Sequence, residues 1–273
     1  DLILGHGGMV SFGHAAYMGI GAYAVGVLSY YGIDNGFLQI PLALGAAALI
    51  GLVFGALSLR TSGVYFIMIT LAFAQMLYFL AISLEEFGGD DGMSSMRSEF
   101  SGLIDMYDTV QFYYLIFTIL VLVLFGLHRL VLSRFGMVIQ ASRSNEKRMH
   151  AVGFPTFRYK LAAFTIASTI CGLAGVLFAN LNEFVSPDVM HWTHSGEIMI
   201  MVIMGGMGTL IGPVLGATAF LLLEEYLPEW MEMAVTNGGE HWAIIMGPIL
   251  IAIVLFGRGG IHALFASRGK RNG

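Results

Sequence analysis

Seven stretches of this chain contain no Asp, Glu, Lys or Arg: residues 2–33, 35–59, 61–84, 109–128, 161–182, 198–223 and 241–257. About 20 apolar residues cross a bilayer as a helix, so most of these runs are long enough to span one. Inside lipid every backbone amide must find its partner within the protein, which leaves only helices and closed barrels. A barrel needs strands of about ten residues that alternate apolar and polar side chains, and these runs are too long and too uniformly apolar. The fold class is therefore all-α, a polytopic helical bundle. Charged residues make up 11% of the chain, against about 25% in soluble domains, which excludes a soluble enzyme.

Lys and Arg gather on the cytoplasmic side of membrane proteins, so their positions set the orientation. Seven of the 13 basic residues, Arg129, Arg134, Arg143, Lys147, Arg148, Arg158 and Lys160, lie between the fourth and fifth runs. Arg258, Arg268, Lys270 and Arg271 follow the last run. Both segments are assigned inside, as a cytoplasmic loop at 133–160 and a basic tail at 258–273. Segment 85–111 holds Glu85, Glu86, Asp90, Asp91, Glu99, Asp105 and Asp108 against Arg97 alone, and is assigned outside. Segment 224–240, acidic with no basic residue, is also outside. Spans at 37–59 and 63–84, turning inside at Arg60, then 112–132 and 161–181, satisfy this pattern. Residues 196–227 must then start and finish outside, which suits two short helices joined by the Gly-rich turn at 205–213. A last span at 241–257 closes the parity, giving about eight membrane segments in one transmembrane domain over 1–273. Asp1 is not an initiator Met and the first apolar run begins at once, so an upstream portion is expected. Cys171 lies alone within a span and reads as a small packing residue.

Glycine supplies the next signal, with 36 residues, many inside the spans, where they allow close helix approach or helix breaks. Two clusters differ from packing motifs: Gly5, Gly7, Gly8 and Gly13 surround Ser11 and His14, while Gly205, Gly206 and Gly208 precede Thr209. GGMVSFG (7–13) resembles GGMGTLIG (205–212), with Ser11 opposite Thr209. Gly-broken helices in two halves point to a midmembrane pathway. Apart from Glu197, and from Arg129, Glu224 and Glu225 at span ends, the spans contain no Asp, Glu, Lys or Arg, which disfavours proton-coupled transport. Ser11, His14, Gly205, Gly206 and Thr209 are the candidate lining of a neutral pathway.

The cytoplasmic pattern ASRSNEKRMHAVG (141–153) resembles the loop by which ABC importer permeases dock into their ATP-binding subunits. The resemblance widens with LILGHGGMVSFGHAAYMGIGAYAVGVL at the start, GGDDGM in the outer loop, ASRSNEKRMHAVGFPTFRYKLAAF, and FVSP followed by GEIMIMVIMGGMGTLIGPVLGA. In this order they resemble the LivM subfamily of branched-chain amino acid ABC transporter permeases; sister LivH subunits carry a first motif closer to NFAHG. The resemblance implies a multi-pass permease of the bacterial cell inner membrane, serving an ATP-driven importer. It implies a sister LivH-like permease, two ATP-binding subunits that hold ATP and Mg, and a periplasmic substrate-binding protein. No cofactor is expected in this chain, and no GxxxxGK[ST] phosphate loop occurs in it. Ser142 to Gly153 is expected to form one short helix, with Arg143, Asn145, Glu146 and Arg148 facing the ATPase and Gly153 in the place of the loop's characteristic glycine. Asp90 and Asp91 are the candidate contacts for the binding protein, although charge alone equally describes a solvated loop. Phe87 before Gly88, and Asp90 where the family usually has Ser, depart from the pattern and keep other amino acids, amides and urea open as ligands.

Three other classes are weighed. A rhomboid-like protease would place Gly two residues before its Ser, where Ser11 has Met9, and no HExxH occurs. His191 and His194 near Asp188 form an HxxH without a clear third ligand, weak support for a metal importer. A stand-alone channel or secondary carrier is the strongest remaining alternative, and it would need no ATPase-docking segment.

Overall fold

Helix boundaries in this protein fall where the sequence supplies groups for backbone amides left without helical partners. The computed structural model describes residues 1–100, 105–234, 246–248, 251 and 260–261. A single π-turn at Leu2–His6 precedes α1 (His14–Tyr30), α2 (Gly36–Ser58) and α3 (Val64–Ser83). Asn35 opens α2 by accepting the Phe37 N–H at 3.0 Å, and Asp108 opens α4 (Thr109–Val131) by accepting the Val110 N–H at 2.9 Å. Each cap satisfies one of the four amides that a helix start leaves unpaired. The basic segment forms α5 (Arg134–Ser144) and α6 (Glu146–Ala151), and the chain continues through α7 (Thr156–Asn182), α8 (Trp192–Gly205) and α9 (Gly212–Ala234). One small antiparallel ribbon interrupts the all-α pattern: β1 (Met93–Ser94) pairs with β2 (Phe184–Val185), Met93 opposite Val185, both buried.

Among the described residues four helices, α2, α3, α4 and α7, are long and apolar enough to cross a membrane. They coincide with the spans read at 37–59, 63–84, 112–132 and 161–181, and the protein is a multi-pass inner-membrane protein. The expected count of about eight is larger. Helix α1 has 17 residues and α8 has 14, and α9 carries Glu224, Glu225 and Glu229 along its second half. Most of 241–257, and nearly all of the basic tail, lie outside the described residues.

The chain divides into two compact units. The larger contains Leu2 and Gly7–Ser195, and its central element is α7, which packs along both α1 and α2. Backbone meets backbone there: a Cβ on Gly175 would overlap the Met18 carbonyl, and one on Gly21 would overlap the Gly172 carbonyl. Lipid is as apolar as a leucine side chain, so helices in it associate through close van der Waals fit, which small residues permit. Ala43, Ala47, Ala163 and Ala179, fully buried, extend the same seam. Around one end of it, Val25, Val176, Met93, Val185 and Met190 form a core that includes the ribbon. At the other end Leu2, Ile139 and Ala163, with Phe135 and Tyr159, fasten α5 against α7. Helix α4 buries only Phe112 in the chain, leaving its apolar length to the bilayer.

The smaller unit contains Asp1, Ile3–His6 and the residues from Gly196 onward. Helices α8 and α9 cross at contact distance, since a Cβ on Gly205 would overlap the Gly212 carbonyl and one on Gly216 the Met201 carbonyl. Met204, Phe220 and Leu227 are buried together. A helix pair with a Gly-rich turn is expected for 196–227, and it is present, but α9 has 23 residues and runs to Ala234 where a second short helix is expected.

The seam predicts two glycine substitutions of opposite sign. Gly175→Leu should cost about 2–3 kcal/mol by forcing α7 off α1. Gly45→Ala, on α2 with open space where a Cβ would stand, should add about 0.5–1 kcal/mol of helix stability. Thermal unfolding of the purified protein in mild detergent reads both.

Candidate translocation and coupling sites

The break at residues 7–13 leaves the first amides of α1 without carbonyls one turn earlier, and hydroxyl groups take their place. The Phe12 N–H donates to Thr70 Oγ1 at 3.2 Å, the Gly13 N–H to Ser11 Oγ at 3.2 Å, and the Ala15 N–H to Ser195 Oγ at 3.0 Å. Thr70 Oγ1 also donates to the Ile67 carbonyl at 2.9 Å, so that hydroxyl is engaged both ways. Ser11 and Ser195 are buried. The His14 ring lies 6.0 Å from Tyr17 and 5.8 Å from Phe164, inside an aromatic cluster. Ser11 and His14 are thus brought together at one helix start, surrounded by neutral hydroxyls and rings.

A second break repeats the device in the smaller unit. Thr209 Oγ1 donates to the Gly206 carbonyl at 2.8 Å and accepts the Gly212 N–H at 3.1 Å. Gly206 has φ 117°, a conformation that side chains rarely adopt. Ser11 and Thr209 each stand three residues before the first helical residue and accept an amide at that helix start, which matches the similarity of the two sequence stretches. Gly205, Gly206 and Thr209 belong to the smaller unit, Ser11 and His14 to the larger. The helix start at Ser11 and His14 presents hydroxyl, backbone and ring groups, while at the break before Thr209 the Asp1 carboxylate also accepts the Gly208 N–H at 2.8 Å, so the hydroxyl and backbone groups there stand beside a charge.

The coupling segment departs from the expected single helix over Ser142 to Gly153. Asn145 is extended (φ −158°, ψ 95°), ends α5, and starts α6 by accepting the Arg148 N–H at 2.9 Å. Ser and Asn side chains compete with helical backbone bonds, and the Ser-Asn pair at 144–145 produces this break. Ser142 is buried and donates to the Ile139 carbonyl at 2.7 Å, so it does not belong to an outward face. Gly153, at φ 93°, ends α6 in the left-handed conformation that closes helices. Arg143, Asn145, Glu146 and Arg148 are all exposed.

Glu146 also turns back onto α7. Its Oε1 accepts from Lys160 Nζ at 2.8 Å and from the Thr156 hydroxyl at 3.2 Å, and Thr156 Oγ1 lies 2.7 Å from His150 Nε2. Burial pushes the Glu146 carboxyl upward, but the hydrogen bond and charge of Lys160, together with Thr156, outweigh it and hold the group below its ordinary value. A carboxyl depressed by folding contributes stability above its unfolded pKa, and that stability drains as pH falls through the folded value. With the Glu146 side chain 44% exposed, the pair is worth no more than about 1 kcal/mol, enough to orient a six-residue helix. Lys160 and Thr156 carried no sequence signal for this role, because no helical periodicity links them to Glu146 across the turn at Gly153, whereas His150 stands one turn after Glu146 on α6.

The outer loop leaves Asp90 and Asp91 exposed between the Glu85–Phe87 turn and β1. Two buried side-chain amides pin the stretch after β1. Asn180 Oδ1 accepts the Ser98 N–H at 2.7 Å while its Nδ2 donates to the Val176 carbonyl at 2.8 Å. Gln39 Nε2 donates to the Ile33 carbonyl at 2.8 Å, and the Ser98 hydroxyl donates to Gln39 Oε1. Arg97 pairs with Glu183 at 2.8 Å, donates to the Met106 carbonyl at 2.6 Å, and lies 5.6 Å from both the Tyr107 and Phe112 rings. Gln39 and Asn180 escaped the sequence reading, although an amide inside an apolar run must find partners and is a legible signal. His191 Nδ1 lies 2.9 Å from Thr193 Oγ1, and among the described residues no three His, Cys, Asp or Glu side chains converge on a metal-sized site.

The Glu146 contacts predict that Glu146→Ala loosens α6 and speeds trypsin cleavage after Lys147 and Arg148, and that the exchange Glu146→Lys with Lys160→Glu restores protection. Peptide mass spectrometry on protein in lipid nanodiscs gives both rates. Protection factors of the α6 amides, taken against the intrinsic exchange rate at each pH, should also fall as pH drops through the lowered Glu146 value.

The chain is 30% identical over 272 residues to the high-affinity branched-chain amino acid transport system permease protein LivM of Escherichia coli, covering 90% of this chain and 64% of that protein. The LivM of Salmonella typhimurium matches to the same extent. A probable branched-chain amino acid transport permease protein LivM of Methanocaldococcus jannaschii is 25% identical over 303 residues, covering 94% and 83%. The chain therefore spans a little under two thirds of the length of the first two relatives. No solved structure matches. Residues 1–254 match the family described as branched-chain amino acid transport system / permease component, and the chain belongs to that family.

Proposed function

We propose that the chain is the LivM-type permease subunit of an ATP-driven importer for leucine, isoleucine and valine. A periplasmic binding protein delivers the ligand, a sister permease completes the pathway, and two separate ATPase subunits bind ATP and Mg and hydrolyse the nucleotide. The chain itself performs no catalysis and needs no cofactor. Helix α1, the paired helices α8 and α9, and segment 241–257 bring the membrane segments to about eight.

The observation that carries the coupling role is the exposed α6, capped by Asn145, ended by Gly153 and held to the start of α7 through Glu146 and Lys160. A push on α6 reaches α7 through that ion pair. Helix α7 touches the backbone of α1, so the same displacement reaches the helix start formed by Ser11 and His14. Arg143, at the end of α5, and Arg148, on α6, face the ATPase, and Glu146 orients the helix that presents Arg148. The breaks at Ser11 and Thr209 offer neutral polar groups, which suit a zwitterion of no net charge with an apolar side chain. Asp90 and Asp91, exposed in the outer loop, face the binding protein.

Reconstitution with the sister permease, ATPases and binding protein in proteoliposomes should give ATP-dependent leucine uptake. Arg143→Glu with Arg148→Glu should lower ATPase activity stimulated by loaded binding protein at least tenfold while binding-protein association stays intact. Uptake that proceeds through this chain alone without ATP would overturn the reading in favour of a carrier.

A further inference from the structure

A cavity of about 510 Å³ opens beside α6, entirely within the larger unit, on the side assigned to the cytoplasm. Its walls come from the Gly7–Val10 stretch leading to Ser11, from the turn between α2 and α3, and from the ends of α5, α6 and α7. The volume falls within the range that holds a small organic ligand. Its lining carries both signs of charge and an apolar floor. Arg60 and Arg143 stand on the wall with Glu146 and Lys160, while buried Met9 and Phe66 supply apolar surface. The Arg143 side chain crosses directly over Gly8, where a Cβ would lie 2.7 Å from Arg143 Cγ, so the guanidinium is held beside the cavity by its own stem. Lys160 and Thr156 both engage Glu146 Oε1, leaving Oε2 as an acceptor on a half-exposed carboxylate.

We propose that this cavity is a cytoplasm-facing site for a free aliphatic amino acid. Arg60 and Arg143 bind its carboxylate, Glu146 Oε2 accepts from its ammonium group, and Met9 and Phe66 take the side chain. Guanidinium groups favour carboxylates through paired N–H donors, and a zwitterion satisfies both signs of the wall where a simple anion satisfies one. An occupant there braces Glu146, which holds α6 to α7, and Arg143 at the end of α5, so amino acid accumulated inside holds the coupling helix in place and slows further import. The inference rests on the amino-acid reading of the function and adds a second site for the transported ligand, separate from the helix start at Ser11 and His14.

The test uses the whole importer in proteoliposomes, with leucine preloaded into the lumen at graded concentrations and initial uptake of labelled leucine as the readout. Luminal leucine should inhibit wild-type uptake, whereas 4-methylpentanoate, which lacks the amino group, and 3-methylbutylamine, which lacks the carboxylate, should inhibit at least tenfold less well. Arg60→Gln should raise the luminal leucine needed for half-inhibition at least tenfold with uptake into empty vesicles unchanged. Ser62→Trp, which fills the cavity from an exposed position on its wall, should abolish the inhibition. Normal uptake with inhibition absent in wild type, or unaltered by both substitutions, would overturn this site and leave the importer standing. Absence of leucine uptake by the wild-type assembly would overturn the functional reading itself, and this site with it.

Discussion

The backbone contact of α7 with α1 and α2 is the constraint on which the larger unit depends. Helices in lipid gain little from hiding apolar side chains from one another, and dispersion falls away steeply with a gap of half an ångström. The Gly21, Gly172 and Gly175 positions, with Gly51 against Ser168 on the other flank, remove that gap. Once α7 lies in this groove, both ends of the unit are positioned. One end carries the ribbon and Asn180, which hold the outer loop, and the other carries Thr156 and Lys160, which hold α6. A single helix therefore joins the segment expected to meet an ATPase to the loop expected to meet a binding protein.

Polar groups within the membrane are used sparingly and in one manner. Thr70, Ser11 and Ser195 at one break, and Thr209 at the other, each satisfy an amide that a broken helix would otherwise leave in lipid. An unsatisfied amide there costs several kcal/mol, so a helix can start at midmembrane only where such hydroxyls are present. The charged residues of the larger unit stay at its two ends.

Much of this was legible before any coordinate. The charge-free runs located α2, α3, α4 and α7 to within a few residues, because an apolar run that must cross lipid has no conformation other than helix. The similarity of residues 7–13 to 205–212 anticipated two helix breaks with a hydroxyl at the same distance from the next helix. The segment 142–153 was read as one helix and forms the end of α5 and all of α6, since the competition of Ser144 and Asn145 with the backbone is a matter of a few tenths of a kcal/mol that neighbouring packing decides. The inward half of Glu146's role was invisible, because its partners lie beyond a turn.

The sequence by itself determined that the protein is helical, the positions of four helices long and apolar enough to cross a membrane, which loops are basic or acidic, and the family to which it belongs. These properties come from composition summed over long runs and from short motifs, and neither depends on which helix lies beside which. Tertiary structure alone decided that α7 is the common partner of α1 and α2, that Asn180 and Gln39 hold Ser98, and that Glu146 reaches Lys160. Such contacts depend on differences of an ångström in helix approach and on side chains brought together from distant segments, and no local pattern in the chain encodes them.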